Sequence, residues 1–471
     1  MSENKYNALT PSDIGFFESI VGSDNFLSAS EKMLPYSSDS TEDFVFVPEA
    51  VLFPSNAEEV SQIAKHCNTR NIPLTVRGAG TGLSGGSLPV EGGIVLATSK
   101  LNQILAIDEK NFQATVEPGV ITQEFKNAVA AKGLFYPPDP ASMGSCYLGG
   151  NLAENSGGPK AIKYGVTSDY VLNLEVVLAN GDIIWTGANV LKNATGYNLT
   201  QLMVGSEGTL GIITKVQLKL LPLPKQDLLM LAYFDSLELP CNAVSAILNA
   251  GICPSAIEFM ERSALEWSMK FADVSIDIQE STKAILLIEV DGMSKENLLS
   301  DCEKIHEILE SLGCTEVLFA EDRAEKDRLW KVRRVCGEAV HAHSVYKEED
   351  TVVPRYELAK LLARVKEIGA NYGFQSVCYG HAGDGNLHIN ILKGTLTDEA
   401  WNHTIKAGIR EIFQVCHELG GTISGEHGIG YVQKEYLDIV FSKNQIELMK
   451  GIKSVFDPNG ILNPNKIFPS E

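Results

Sequence analysis

His381 and His388 stand seven residues apart in the run Tyr379-Gly-His-Ala-Gly-Asp-Gly-Asn-Leu-His388, with glycines at 380, 383 and 385. In an unbroken strand that odd spacing sends two imidazoles to opposite faces. A glycine turn breaks the alternation and lets them converge. A second glycine-softened run, SGEHGIG at 424–430, offers Glu426 and His427. Two histidines and one carboxylate leave a tetrahedral divalent ion with an open position, which is how a catalytic zinc is held. A lone histidine is most often a satisfied core residue, but three in two glycine loops favour a site.

A cationic feature lies upstream. The run KDRLWKVRR at 326–334 is basic in a chain with 39 basic and 60 acidic residues and a net charge of -21. For Lys326, Arg328 and Lys331 the expected role is a solvated helix face. Arg333 follows Trp330 by one turn, so the ring is expected to hold its guanidinium. That planar fork suits a carboxylate, with Lys347 adding a point charge. The acidic total excludes nucleic acid as a partner, and an anionic substrate must be drawn in locally.

The 41 glycines are clustered. The loop RGAGTGLSGGS at 77–87 follows a strand-like stretch, and glycine lets successive amides converge on a phosphate. It is neither a Rossmann fingerprint nor a P-loop: Pro89 and Gly92-Gly93 lead into a strand, and no Gly-Lys-Ser/Thr is present. Further clusters at 149–158 and 205–211 make three backbone cradles, which implies a large, extended ligand.

The elements that position these residues follow from pattern. A chain of 471 residues exceeds a single core, so two domains are expected. Its 44% apolar and 21% charged residues are ordinary globular composition. A helix over 57–68, capped by Asn56, lies between strands; those at 72–76 and 93–98 flank the first loop. A helix over 121–132 stops at Gly133, and Asn180-Gly181 turns a hairpin. Pro222 and Pro224 mark a boundary. Beyond it come strands 228–234, 284–290 and 375–379, with helices 240–250, 295–312, 321–340 and 356–371. Helices then fill most of 397–455. The nine cysteines are scattered singly, without a C-x-x-C pair, so reduced thiols are expected and a cysteine-held metal cluster is not. The start lacks a secretory pattern, and no stretch approaches the ~18 apolar residues of a membrane span. A soluble, cytoplasmic protein is expected.

The glycine loops, together with the lead-in at 55–60, PPDP at 137–140 and MVGSEGTLG at 203–211, resemble the vanillyl-alcohol-oxidase-type FAD oxidoreductases from about residue 45 onward. The resemblance implies an α+β fold: a two-lobed PCMH-type FAD-binding domain, a ferredoxin-like α+β cap, and a helical C-terminal segment returning to the FAD domain. The expected boundaries are 1–44, 45–224, 225–425 and 426–471. Arg77, Gly78, Gly80, Thr81, Gly82, Gly85, Gly86 and Ser87 would wrap the pyrophosphate. Pro138, Asp139, Ser142, Gly149, Asn151 and Ala153 would lie along the cofactor. Glu207, Gly211 and Ile212 would hold the adenosine half, and Asn463 and Lys466 would return to the isoalloxazine. Many relatives tether FAD through a histidine in the first loop; none lies in 77–87 here, so FAD is expected to be non-covalent.

GHAGDGNLH with SGEHG resembles the D-2-hydroxyacid dehydrogenase branch, with its D-lactate, D-2-hydroxyglutarate and glycolate-oxidising flavoproteins. By that likeness His381, His388 and Glu426 bind zinc or another divalent ion, and Asn390 contacts the substrate. His427 is the general base, and Arg333 and Lys347 take the substrate carboxylate. The reaction implied is oxidation of a D-2-hydroxyacid to the 2-oxoacid, a metal lowering the hydroxyl pKa while hydride passes to flavin N5. One departure stands out: the 2-hydroxyglutarate dehydrogenases carry threonine where this chain has Gly337. Electrons would pass to a quinone, an electron-transfer flavoprotein or another redox protein, and a homodimer is a candidate assembly. Three alternatives remain. One is a glycolate-oxidase-type FAD subunit of a larger complex. Another is an alkyl-dihydroxyacetonephosphate-synthase-like transferase, whose active-site histidine run is absent here. The last is a flavin binder with a structural metal and no turnover.

Overall fold

The computed structural model describes residues 5–41 and 44–470. The chain divides into two units: Met1–Ser156, Val166–Leu223 and Glu426–Glu471 form the first, and Gly157–Gly165 with Pro224–Gly425 the second. The polypeptide therefore enters the second unit twice.

The first unit holds two main sheets. In one, Leu74–Arg77 and Ala50–Leu52 each run parallel to Ile94–Ala97, with Phe26–Leu27 on the outer edge. The helix Ala57–Arg70 makes the crossover. Its Asn56 cap accepts the Glu59 N–H at 2.9 Å, and Val60, Ile63, Ala64 and Cys67 recur at helical spacing and are buried against the sheet. The other sheet is antiparallel, in the order Ile104–Asp108, Gln113–Val116, Ile212–Lys219, Val171–Val177, Ile183–Trp185. Near the C-terminus the chain returns to the first sheet, where Ile461 accepts the Leu74 N–H at 2.8 Å.

The N-terminal helix Pro11–Val21 opens with a Thr10–Asp13 capping box. Asp13 is buried, which alone would raise its pKa. Arg70 at 3.0 Å, Thr10 and His66 overcome that and hold it well below the usual carboxylate range.

The second unit is built on one seven-stranded antiparallel sheet. Its order is Glu316–Phe319, Gln226–Phe234, Ala284–Gly292, Ala256–Glu261, Gln375–Gly380, Asn386–Leu392, Tyr346–Val352. Alternation gives the sheet two faces. Leu229, Leu231, Ile285, Leu287, Met260 and Val377 share one face and pack beneath the helices Arg262–Ala272, Arg323–Arg334 and Cys336–His343. The helix expected over 321–340 is thus two. It breaks at β-branched Val335 (φ −90°, ψ 9°), with helix-weakening Gly337 in the next turn. All nine cysteines are free. Among the described residues no helix is long and apolar enough to cross a membrane.

Candidate active site

In the first unit the three glycine clusters meet around a cleft of about 230 Å³. Gly78, Gly80, Thr81, Gly82, Gly86 and Ser87 line it from the first loop; Gly149, Asn151 and Ala153 from the second; Glu207 and Gly211 from the third; and Ser142 beside them. Glu426 and His427 also line it. At Gly82 and Gly150 an added Cβ would meet nothing within 4 Å, so backbone alone faces the space there. A cleft walled by glycine amides fits the pyrophosphate of FAD.

Several residues expected at the cofactor lie behind this wall. Arg77 reaches back to Ser87 Oγ and the Pro35 carbonyl, each at 3.2 Å. Ile212 is fully buried in its strand, and its neighbour Ile213 lines the cleft instead. Gly85 turns at φ 73° beside Leu88 and Tyr431. Pro138 and Asp139 belong to a turn whose carbonyls at 136–138 all accept from Lys126 Nζ, at 2.8–3.0 Å. Asn463 and Lys466 act as a buttress. Asn463 donates to the carbonyls of Gly86 (2.8 Å) and Glu207 (2.7 Å), and Lys466 donates to Leu88 O and Asn463 Oδ1. Burial pushes the Lys466 ammonium down to about 8.

Two carboxylates converge under the loop that carries His427. Glu207, at φ 51°, accepts the N–H groups of Ile429 (2.9 Å) and Gly430 (2.6 Å). Glu154 Oε2 is occluded and has no hydrogen-bond partner among the described residues. A Cβ on Gly428 would stand 2.1 Å from it and 3.0 Å from Glu207 Oε1. Burial, with the charges of Glu207 and Asp39, holds the Glu154 pKa well above its ordinary value. The direction of that shift favours the protonated form and so lessens repulsion of a pyrophosphate at the cleft.

The second unit carries a different kind of site, made of side chains on the helix-covered face of its sheet. Strand pairing sets Tyr379 opposite His388, Val377 opposite Asn390, Glu348 opposite Asn390 and Asp350 opposite His388. His381 leaves the end of its strand, and its Nδ1 meets Glu258 at 2.9 Å. His388 Nδ1 lies 3.3 Å from Glu348 and 3.8 Å from Asp350. The imidazoles are 5.4 Å apart, edge to face. Glu258 at His381 Nδ1 leaves its Nε2 for an ion, the usual set-up for a ligand histidine, and the donors of the two imidazoles fit a divalent ion. Asn390 is wholly buried; its amide interacts with the Tyr379 hydroxyl, but no hydrogen bond of good geometry satisfies it among the described residues. Asp350 also accepts the Gly425 N–H at 2.8 Å, one residue before Glu426.

Two expectations are corrected here. Trp330 does not hold Arg333. The residue over its ring is Arg334, at 5.3 Å, because i+4 aligns more closely than i+3 on a helix; the indole N–H donates to Glu289 at 2.9 Å. Arg333 is buried over the Tyr379 ring at 5.2 Å and pairs with Glu258 at 2.7 Å. Lys347 is the second correction. It pairs with Ile391 and stacks on Trp401 at 4.9 Å, on the opposite face of the sheet from Asn390 and His388. Its neighbour Glu348 occupies the site face, so Lys347 cannot join Arg333 around a substrate.

Sequence reasoning missed Glu154, Glu258, Glu348 and Tyr379. The first two had a signal. Glu154 sits between two expected contacts and a glycine pair, and Glu258 is an acid at an inward position of the apolar run Ala-Ile-Glu-Phe-Met. Of the expected site residues, Glu426 and His427 belong to the first unit, and Arg333, His381, His388 and Asn390 to the second.

Comparison with known proteins now adds the family. Residues 48–187 match the FAD binding domain, and residues 223–467 the C-terminal domain of FAD linked oxidases. The chain belongs to the FAD-linked oxidase family. It is 43% identical to the glycolate oxidase subunit GlcD of Bacillus subtilis (strain 168), over 96% of each chain. It is 37% identical to a D-lactate dehydrogenase of Anaerostipes hadrus, over 99% of each. In fold it resembles p-cresol methylhydroxylase with substrate bound, at a TM-score of 0.80, 19% identity and 98% coverage of both chains. The protein is an FAD-linked oxidoreductase with the PCMH-type fold.

Proposed function

We propose that this oxidoreductase oxidises a small D-2-hydroxyacid, of the glycolate or D-lactate type, to the 2-oxoacid. The observation that carries the reading is the buried Arg333 on the same sheet face as His381, His388 and Asn390. A desolvated guanidinium there suits a carboxylate, and the polar residues around it suit the neighbouring hydroxyl. Relatives named glycolate oxidase subunit and D-lactate dehydrogenase support the same substrate class.

When bound, non-covalent FAD supplies a hydride acceptor, and a divalent ion such as zinc a Lewis acid. Residues of the chain do the rest. Arg333 takes the substrate carboxylate and sets its orientation. Asn390 offers its buried amide to the substrate oxygen. His381 and His388, with Glu426 assigned by family resemblance, would hold the ion. His427 receives the hydroxyl proton, and the backbone cradle with Glu207 fixes the loop that presents it. Electrons then leave to a quinone, an electron-transfer flavoprotein or another redox protein. The word subunit in the Bacillus relative's name supports a second reading, in which further chains complete the electron path.

Rapid-mixing reduction of the FAD-loaded protein by D-lactate, glycolate, D-malate and D-2-hydroxyglutarate, before and after chelation, tests the proposal. Reduction by at least one acid, slowed by metal removal, is expected. Unchanged rates in fully demetallated protein would sink the metal role. Failure of all four acids would sink the dehydrogenase reading.

A further inference from the structure

We propose that Glu258 is a positioning residue whose single buried carboxylate orients both Arg333 and His381, tying substrate-carboxylate recognition to the cation site. The inference rests on the function proposed above.

Glu258 lies mid-strand in Ala256–Glu261 and is fully buried. Its same-face neighbours Ala256 and Met260 belong to the apolar cluster under the helices. An aliphatic side chain is the ordinary occupant of such a position, and an ionised carboxylate is tolerated there only if it is closely paired. Two of its partners are residues assigned to the reaction. Arg333 Nη2 reaches one oxygen at 2.7 Å, and His381 Nδ1 lies 2.9 and 3.0 Å from the two. Arg333 and His381 are themselves each 5% exposed.

The three residues come from separate elements: a central strand, the helix Arg323–Arg334, and the turn after Gln375–Gly380. One carboxylate therefore fixes groups that the backbone alone leaves independent. Accepting the Nδ1–H of His381 sets the tautomer that presents Nε2 as a donor. The ion pair through Nη2, with the Tyr379 ring at 5.2 Å from the guanidinium, holds Arg333 in place for a carboxylate. Movement of either partner moves the oxygen on which the other depends.

The test uses FAD-loaded full-length Glu258→Gln, with zinc affinity measured by chelator competition and KM and kcat by flavin reduction with the best acid of the panel. The FAD absorbance spectrum reports folding. The expected result is an unchanged spectrum, zinc affinity lower by about 10- to 100-fold, and KM raised by at least about tenfold. In an Arg333→Lys background the same change should raise KM by less than about threefold, because interacting neighbours are not additive. Wild-type zinc affinity and KM in E258Q would overturn the proposal, as would loss of only one of them, or effects of E258Q and R333K that simply multiply. If E258Q does not accumulate in folded form, Glu258→Asp keeps the charge and withdraws it by one methylene, and the same two quantities decide. Zinc competition needs no turnover, so it still reads Glu258 if no acid reduces the wild-type flavin.

Discussion

The cofactor cleft of the first unit and the polar sheet face of the second solve the same problem with opposite means. The cleft is made of backbone: Gly78, Gly82 and Gly150 bring amides to the space, and its two main buttresses, Asn463 and Lys466, work on carbonyls from behind. The sheet face is made of side chains, with His381, His388 and Arg333 each held by a carboxylate or ring from another element. Adding a methyl group should therefore damage the first, and removing a charge the second.

Buried acids show the same contrast on a smaller scale. Asp13 is satisfied by Arg70, Thr10 and His66, and is held ionised as a structural link. Glu154 has no hydrogen-bond partner at Oε2 among the described residues, and burial raises its pKa at the cleft. A satisfied buried acid stabilises a fold, whereas one left without partners marks a ligand site.

The largest expected effect falls on the loop of the first unit that carries His427. His427→Ala should slow flavin reduction by about 1,000-fold while the FAD spectrum persists; rapid reduction in that variant refutes its role as base. Next is Gly82→Ala, whose Cβ enters open space. FAD affinity should fall by about 10- to 100-fold, with the melting point of the apoprotein unmoved. A lowered melting point would mean that the loop is structural, and the backbone-cradle description would fail.

Lys347→Ala probes the side-chain region from its far face. KM should change by less than about threefold, since only the stack on Trp401 is lost, worth about 0.5–1 kcal/mol. A tenfold rise would return Lys347 to the substrate. The smallest effect is expected from Glu154→Gln. An acid whose folded pKa is raised binds more protons folded than unfolded above its unfolded pKa, so its contribution to stability falls as pH rises through that interval. Apo E154Q should thus melt above wild type at pH 7 and level with it near pH 4. A difference independent of pH would show that the carboxyl does not titrate there.

What was legible in the sequence follows the same divide. The glycine loops could be read because backbone approach leaves a mark in residue type and spacing, and the mark is local. His381 and His388 stand out within a glycine-rich run, whereas the Trp330 ring that draws attention to Arg333 carries Arg334 instead. Parity and phase could not be read. Whether Lys347 or Glu348 faces the site depends on where the strand Tyr346–Val352 pairs with Asn386–Leu392. Whether Arg333 or Arg334 meets Trp330 depends on helical phase. Glu258 lies more than a hundred residues from His381, and only the order of the sheet brings them together.

The proposed reaction is oxidation of a D-2-hydroxyacid by the FAD-loaded protein. Anaerobic titration of the FAD-loaded protein with D-lactate and, separately, L-lactate tests it most directly. The account predicts that the oxidised flavin band bleaches with the D acid and persists with the L acid. Bleaching by L-lactate at an equal rate would contradict it.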